Sequence, residues 1–298
     1  MKVGVLEYKD DEFTKDVINA LSDLQPEHMR IGEQKLLGGS EYKVIIDRIS
    51  FHQKYLREYL KLLSLGGCYI INNPFSSEVN NKLVEMKVCE QLRIPFPNTV
   101  MLPMVTEGDD ISDNILKPNW SALNEAFSFP AIMKPYNGFG WENVYEVESI
   151  KDAKNVYEAL KDRHILMLQE KIYYREYYRA YCVGKKDVLF VKYQPAPEGM
   201  GRYVHDDLKP IDGIIRQLEK WTVDFNSMID FDFNSVEWSI DANGNPSVID
   251  AFNEVPDIDK RIFPQEEYNW LVDRFSATVR DRFKGPETNK TFIADVLG

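Results

Sequence analysis

Residues 231–257, FDFNSVEWSIDANGNPSVIDAFNEVPD, constrain the fold more than any other stretch of the chain. Two β-rich runs, VEWSI and PSVID, flank Asn243-Gly244, a pair that supplies the positive φ of a tight turn. The segment therefore reads as a β-hairpin. Glu237 lies on its first arm, and Asp250 and Asn253 close the second. Two carboxylates and an amide within reach of each other make a site for a hard divalent cation. Magnesium suits it, taking few protein oxygens and the rest from water and phosphate. A solvated hairpin with ordinary surface charges fits the same residues, because polar side chains on strands mostly face water.

At 298 residues, 44% hydrophobic and 28% charged, the chain can bury a sizeable core and form two or three lobes. Helical and strand patterns alternate, which predicts an α/β fold with α+β lobes. A formal net charge of −12 argues against nucleic acid or a membrane surface as partner. Cys68, Cys89 and Cys182 make no CxxC pair and the four histidines are unclustered, so zinc and His-ligated metals are disfavoured. A reduced, cytoplasmic setting is expected. The N-terminus, MKVGVLEYKDDE, lacks the apolar core of a signal peptide. No run reaches the roughly 20 apolar residues of a bilayer span.

MKVGVLEY, residues 42–50 and residues 68–73 read as strands, separated by helical stripes over 13–24 and 52–65. That order predicts a small open parallel sheet with helices on its faces. Asp47-Arg48 ends the second strand, where open sheets meet ligands and where a surface ion pair would sit equally well. A helix over 80–92 carries Lys82 in its first turn, and Pro95 and Pro97 then mark a lobe boundary. Residues 106–127 read as a polar loop and a short helix.

In FPAIMKPYNGFGWENVYEV, residues 129–147, a strand carrying Lys134 enters a loop with Asn137, Gly138 and Gly140 and leaves along a second strand. Glycines let backbone N–H groups close on phosphate oxygens, and a nearby lysine adds a compact positive charge. The loop is neither GxxxxGK[ST] nor a GxGxxG opening a helix, and a glycine turn alone is a weak signal. After a helix over 149–161, the strand over 165–172 presents Gln169, Glu170, Lys171 and Ile172, which can bond an adenine edge. Strands over 176–183 and 188–193 follow. Arg175, Arg179, Lys192 and Arg202 are spaced so that several can face one cleft, and arginine's planar fork suits phosphate and carboxylate. The run Tyr173, Tyr174, Tyr177, Tyr178 and Tyr181 fits strand packing more readily than a binding platform. Helices over 210–222 and 266–283 flank the hairpin, and the tail offers an edge strand.

Taken in order, these features resemble the ATP-grasp superfamily of nucleotide-dependent ligases over nearly the whole chain. NKLVEMKVCEQLRIPFPNTV resembles the superfamily's first lysine and its proline-rich boundary. FPAIMKPYNGFGWENV resembles its second lysine and phosphate loop, and LMLQEKIYYREYYRAYCVG its adenine strand and the arginine strand after it. The hairpin resembles its metal ribbon, ending in Asn253-Glu254-Val255-Pro256. The resemblance implies that Lys82 and Lys134, with Asn137, Gly138 and Gly140, contact ATP phosphates. It puts Gln169, Glu170, Lys171 and Ile172 beside adenine, with Glu176 near the ribose. Arg179 would face the transferred phosphoryl group, with Lys192 and Arg202 as looser matches. Glu237, Asp250 and Asn253 would hold Mg²⁺, or Mn²⁺ in its place.

The implied architecture is an N-terminal parallel-sheet lobe (residues 1–97), a small central lobe (98–166) and a C-terminal lobe (167–298), with nucleotide clamped between antiparallel sheets. The superfamily usually spaces its last acid and its Asn two residues apart. Here that position is Ala251, and the acid comes one step earlier at Asp250. Residues 250 and 253 would point to opposite faces of a regular strand, a conflict that a one-residue bulge repairs. Failing that, Asp257 or Asp259 stands in. The implied activity is a ligase that phosphorylates a carboxylate and joins it to an amine or similar nucleophile. Small-molecule or peptide substrates are expected, and a homo-oligomer is left open. A kinase acting on a small polyol and a non-catalytic nucleotide sensor are the alternatives.

Overall fold

The computed structural model describes residues 1–33, 40–105, 115–138, 141–195, 203–204 and 212–291. Of the sequence-based site residues, Gly140 and Arg202 lie outside this set.

Four strands, β1 (Lys2–Leu6), β2 (Glu27–His28), β3 (Tyr42–Asp47) and β4 (Tyr69–Ile71), form the expected parallel sheet in the order β2-β1-β3-β4. The two-residue β2 was not foreseen from the sequence. Val3, Val5, Val44, Ile46, Tyr69 and Ile71 pack on one side, and Ile45 and Ile70 on the other. With both faces covered, the strands read as continuous apolar runs. Helix α1 (Glu12–Ala20), started by the Asp11 carboxylate accepting from Thr14 N–H, lies on the first side, and α2 (Lys54–Leu65) on the second. After β4, Pro74 does more than end a strand. It opens a short helix, α3 (Pro74–Glu78), a position where its missing N–H costs nothing.

Helix α4 (Lys82–Leu92) follows, capped by Asn81, and then the central sheet. Its strands β5 (Thr99–Leu102), β6 (Ala131–Pro135), β7 (Tyr145–Val147) and β8 (Leu166–Glu170) run antiparallel in the order β5-β8-β6-β7. Helices α5 (Trp120–Ala126) and α6 (Ile150–Leu160) cover it, enclosing a core of Leu102, Leu123, Met133, Tyr157 and Leu168. Because β8 pairs with β5 and β6, the expected division at residue 166 falls within this sheet.

The third sheet is also antiparallel, in the order β10-β9-β11-β12, built from β9 (Glu176–Val183), β10 (Asp187–Lys192), β11 (Phe233–Ile240) and β12 (Pro246–Asn253). On one face it packs against α4 and α7 (Asp212–Ile229). On the other it shares a core with the parallel sheet, α1 and α8 (Gln265–Lys284). Helix α7 runs past its expected end at 222, because Phe225 and Ile229 continue the buried face of Leu218. The polar residue Asn226 hides that continuation in the sequence, yet it is buried, donating its amide to the Thr222 carbonyl one turn back.

Residues 292–298 of the tail expected to add an edge strand lie outside the described residues, and 285–291 form no strand. The side chain of Asn289 meets the edge of β4. It accepts from Ile70 N–H (2.8 Å) and donates to Ile70 C=O (2.8 Å), closing the exposed edge of β4.

Candidate active site

The hairpin connection spans Asp241 to Asn245, longer than a two-residue turn. The Asp241 carboxylate accepts from Asn243 and Asn245 N–H, and only Gly244 takes the positive φ (87°). The two arms then pair out of regular register. Ser235 faces Asn253, Glu237 faces Asp250 and Trp238 faces Val248. From Ser235 to Glu237 is two steps, whereas from Asn253 back to Asp250 is three, so β12 carries an extra residue there. This is the bulge that the spacing of Asp250 and Asn253 requires. Both side chains line one cleft, together with Glu237. Asp257 and Asp259, the fallback acids, do not line it; Asp259 is bound to Arg261.

The cleft has a volume of about 400 Å³ and lies between the central and C-terminal sheets. Of the sequence-based candidates, Lys82, Lys134, Gly138, Gln169, Glu170, Lys171, Ile172 and Arg179 also line it. Asn137, Glu176 and Lys192 do not. Asn137 is exposed on the loop. Glu176 accepts from Arg175 and from the Tyr178 hydroxyl, and Lys192 lies near it on β10. Arg175 points elsewhere, leaving Arg179 as the arginine of the cleft among the described residues. The aromatic run divides. Tyr177, Tyr178 and Tyr181 are buried in the sheet, while Tyr173 and Tyr174 are exposed and Tyr174 reaches the cleft rim.

The first turn of α4 and the end of β6 are tied together, since Lys82 N–H donates to Tyr136 C=O (3.0 Å). Two lysines therefore meet in a confined space. Burial and the neighbouring Lys82 charge lower the Lys134 pKa to about 8, against the pull of Asp250, Glu85 and Glu237. Burial also opposes the charge on Lys82, but Asp250, Glu85 and Glu237 outweigh it and hold its pKa above the usual lysine value. Lys82 Nζ donates to Asp250 Oδ2 at 2.5 Å.

Arg179 is almost fully enclosed. Its Nε and Nη2 donate to Glu237 Oε1 (2.9 and 2.7 Å), Nη2 also reaches the Tyr193 hydroxyl (3.1 Å), and the guanidinium sits 4.0 Å from the centre of the Tyr193 ring. The Tyr177 hydroxyl donates to Glu237 Oε2. The site thus holds Glu237 and Asp250 each against a cation, which offsets the cost of their charges in a low-dielectric cleft. Asn253 donates its amide nitrogen to Ser235 C=O (2.9 Å), which leaves its carbonyl oxygen as the end able to bind a cation. At the far side, Gln169 Nε2 donates to Thr99 Oγ1 (2.9 Å), and Lys171 bridges to Glu146 (2.6 Å).

Among the described residues, no three or more His, Cys, Asp and Glu side chains converge as a metal centre. The candidate set is two acids and an amide. No thiol or imidazole among the described residues lines the cleft, so its donors are hard oxygens of the kind that suit Mg²⁺ or Mn²⁺ rather than zinc. No helix among the described residues is long and apolar enough to cross a membrane.

Sequence reasoning missed Glu85. It lies three residues after Lys82 on α4 and is 2% exposed. Burial and the Asp250 charge raise its pKa to about 8, against the opposing pull of the Lys82 charge and the nearby Ala251 N–H. The (i, i+3) spacing from Lys82 was a usable signal. The Asp47-Arg48 pair resolves as structure. Asp47 caps the following turn through Ile49 and Ser50 N–H, and Arg48 donates to Asp11 (2.7 Å) while stacking over Phe13 and Phe233.

No family model matches the sequence, and no curated protein sequence matches it. Solved structures do. A RimK-domain ATP-grasp protein from Sphaerobacter thermophilus is 16% identical with a TM-score of 0.66, over 96% of this chain and 100% of that one. D-alanine–D-alanine ligase from Bacillus anthracis, complexed with ATP, is 15% identical with a TM-score of 0.65, over 95% of each chain. The ATP-grasp ligase PsnB, complexed with precursor peptide PsnA2 and AMPPNP, is 13% identical with a TM-score of 0.64, over 93% of this chain and 97% of that one. A parallel sheet followed by two antiparallel sheets that meet at one polar cleft, matched end to end by these structures, gives the chain the ATP-grasp fold.

Proposed function

We propose that the protein is an ATP- and magnesium-dependent ligase that activates a carboxylate as an acylphosphate and joins it to an amine or similar nucleophile. One observation carries this reading. Lys82, Lys134, Arg179, Glu237, Asp250 and Asn253, drawn from distant parts of the sequence, line a single cleft. The chemistry needs those groups and no covalent nucleophile. A carboxylate oxygen attacks the γ-phosphorus, and ADP leaves. The amine then attacks the acyl carbon, and phosphate leaves. Catalysis of this kind rests on alignment and on neutralising charge at the transferring group.

In this reading Gln169, Glu170, Lys171 and Ile172 hold the adenine end of ATP, with Pro97 and Ile249 as apolar walls. Lys82 and Lys134 hold the phosphates, and Gly138 brings backbone close to them. Arg179 turns its fork from Glu237 toward the phosphoryl oxygens. Glu237, Asp250 and Asn253 would hold magnesium, whose charge offsets that of the triphosphate. Glu176 remains a proposal for the ribose side, Lys192 and Arg202 for the phosphoryl group in transfer, and Asn137 and Gly140 for the phosphates. The structural neighbours include one bound to a peptide and one named for joining amino acids, so both acceptor classes belong in the test.

The test is ATP turnover with pooled amino-acid and peptide carboxylates, hydroxylamine serving as trap. ADP together with a hydroxamate supports the ligase. ADP that never brings a hydroxamate sinks it. A second reading, a nucleotide-binding protein without turnover, draws on the Lys82–Asp250 and Arg179–Glu237 pairs, which occupy the groups that turnover would use. It predicts tight ATP binding with no ADP release.

A further inference from the structure

A β-bulge leaves the backbone of its extra residue outside the ladder. Buried N–H and C=O groups without partners are costly, so something must replace the missing bonds. The register of β12 shifts at Ile249 and again at Ala251-Phe252; the second shift separates Asp250 from Asn253, and Ala251 is fully buried there. The Ala251 N–H lies against the Glu85 carboxylate and favours its charged form. Ala251 C=O accepts from Asn234 Nδ2 (2.7 Å), and Asn234 Oδ1 accepts from Asn253 N–H (2.7 Å). Asn234 has no solvent exposure. Two buried side chains, from α4 and β11, thus stand in for the ladder at the one place where Asp250 and Asn253 must turn to the same side. Glu85 is held there although its second oxygen, Oε2, has no partner.

We propose that Glu85 and Asn234 are positioning residues for the cation site: they hold the extra residue of β12 so that Asp250 and Asn253 face the cleft together. This rests on the reading that Asp250 and Asn253 hold a divalent cation. Neither residue lines the cleft. Glu85 also joins the phosphate-binding and cation-binding elements, because Lys82 leaves the same helix one turn earlier.

The experiment is calorimetric binding of AMPPNP to the full chain, in EDTA and across a Mg²⁺ titration, for wild type and four variants. For Glu85→Ala and Asn234→Ala the expected result is a Mg²⁺ midpoint raised roughly 10- to 100-fold, the usual cost of removing a group that orients a metal ligand. Binding in EDTA should stay near wild type. Glu85→Gln keeps an acceptor for Ala251 N–H and should restore the midpoint to within about threefold, which a purely electrostatic role would not allow. Asn234→Asp keeps the acceptor for Asn253 N–H but loses the donor, and should fall between wild type and Asn234→Ala. If the alanine variants do not fold, Glu85→Gln and Asn234→Asp carry the test alone. The proposal is overturned if folded alanine variants show a wild-type midpoint, or if EDTA binding falls as much as Mg²⁺-dependent binding. If wild type itself binds AMPPNP without regard to Mg²⁺, the cation reading fails first and takes this inference with it.

Discussion

Lys134 is half-buried beside Lys82, and its pKa of about 8 makes it a pH-sensitive contact of the cleft. A triphosphate that binds there stabilises the charged form and draws a proton onto the amine. At pH 8.5 to 9, ATP binding should therefore take up protons, seen as a binding enthalpy that changes with buffer ionisation heat. Lys134→Met should abolish the uptake and weaken binding by about 1.5–3 kcal/mol, the usual worth of a hydrogen bond to a charged group. Equal enthalpies in all buffers would refute the assignment. Glu85 and Lys134 also shape stability without ligand. Glu85 is raised from 4.5 to about 8, so the folded state holds its proton longer and stability from this group is lost as pH rises through that window. Lys134 is lowered from 10.5 to about 8, so its burial costs stability below pH 8 and the cost fades as pH rises toward 10.5. Urea midpoints should pass through a local minimum near pH 8, and Glu85→Gln should remove the acid limb.

At the scale of elements, β11 and β12 hold the site because their other face is anchored. Trp238 is fully buried, stacked on Trp221 at 5.9 Å between ring centres, with its Nε1 donating to Thr222 on α7. Trp238→Ala should cost about 3–5 kcal/mol, read as a lower denaturant midpoint. The residue alternates with Glu237, so loss of its anchor should also loosen the proposed cation site. The loop after β6 behaves differently. Trp141 lies in the left-handed region (φ 65°), is 47% exposed and lines the cleft. Its emission should change on ATP binding, and the change should vanish in Trp141→Phe. A signal that persists in that variant would place the responding tryptophan elsewhere.

Across the whole molecule, the N-terminal and C-terminal sheets share one core between their facing sides. Val3, Val44 and Ile71 pack in one cluster with Tyr181, Phe233 and Phe275, whereas the central lobe encloses its own. Asp232, 1% exposed, joins the two parts, accepting from Tyr69 on β4 (2.7 Å) and from Arg282 on α8 (3.0 and 2.8 Å). Arg282→Met leaves a buried carboxylate short of its main cation and should destabilise by about 3 kcal/mol, in a single transition for both sheets. By the same logic residues 1–97 expressed alone should not fold. Resolved amide signals from that fragment would contradict the shared core.

Much of this was legible in the chain itself. The parallel sheet follows from apolar strands separated by amphipathic helices, since a strand buried on both faces has no use for polar residues. The cleft lysines, Arg179 and the acid-bearing hairpin were readable because each sits at a fixed offset from a turn or strand end. The need for a bulge could be deduced from the three-residue step between Asp250 and Asn253. What supplies that bulge could not. Glu85 lies 166 positions before Ala251 and Asn234 looks like any strand asparagine, so only the packing of α4 and β11 against β12 reveals what each of them meets. Periodicity reports which face of an element is buried, not what it is buried against. Pairing of acids with cations, the common core of the outer sheets and the Asn289 clasp on β4 are contacts between remote segments, and tertiary structure alone decided them.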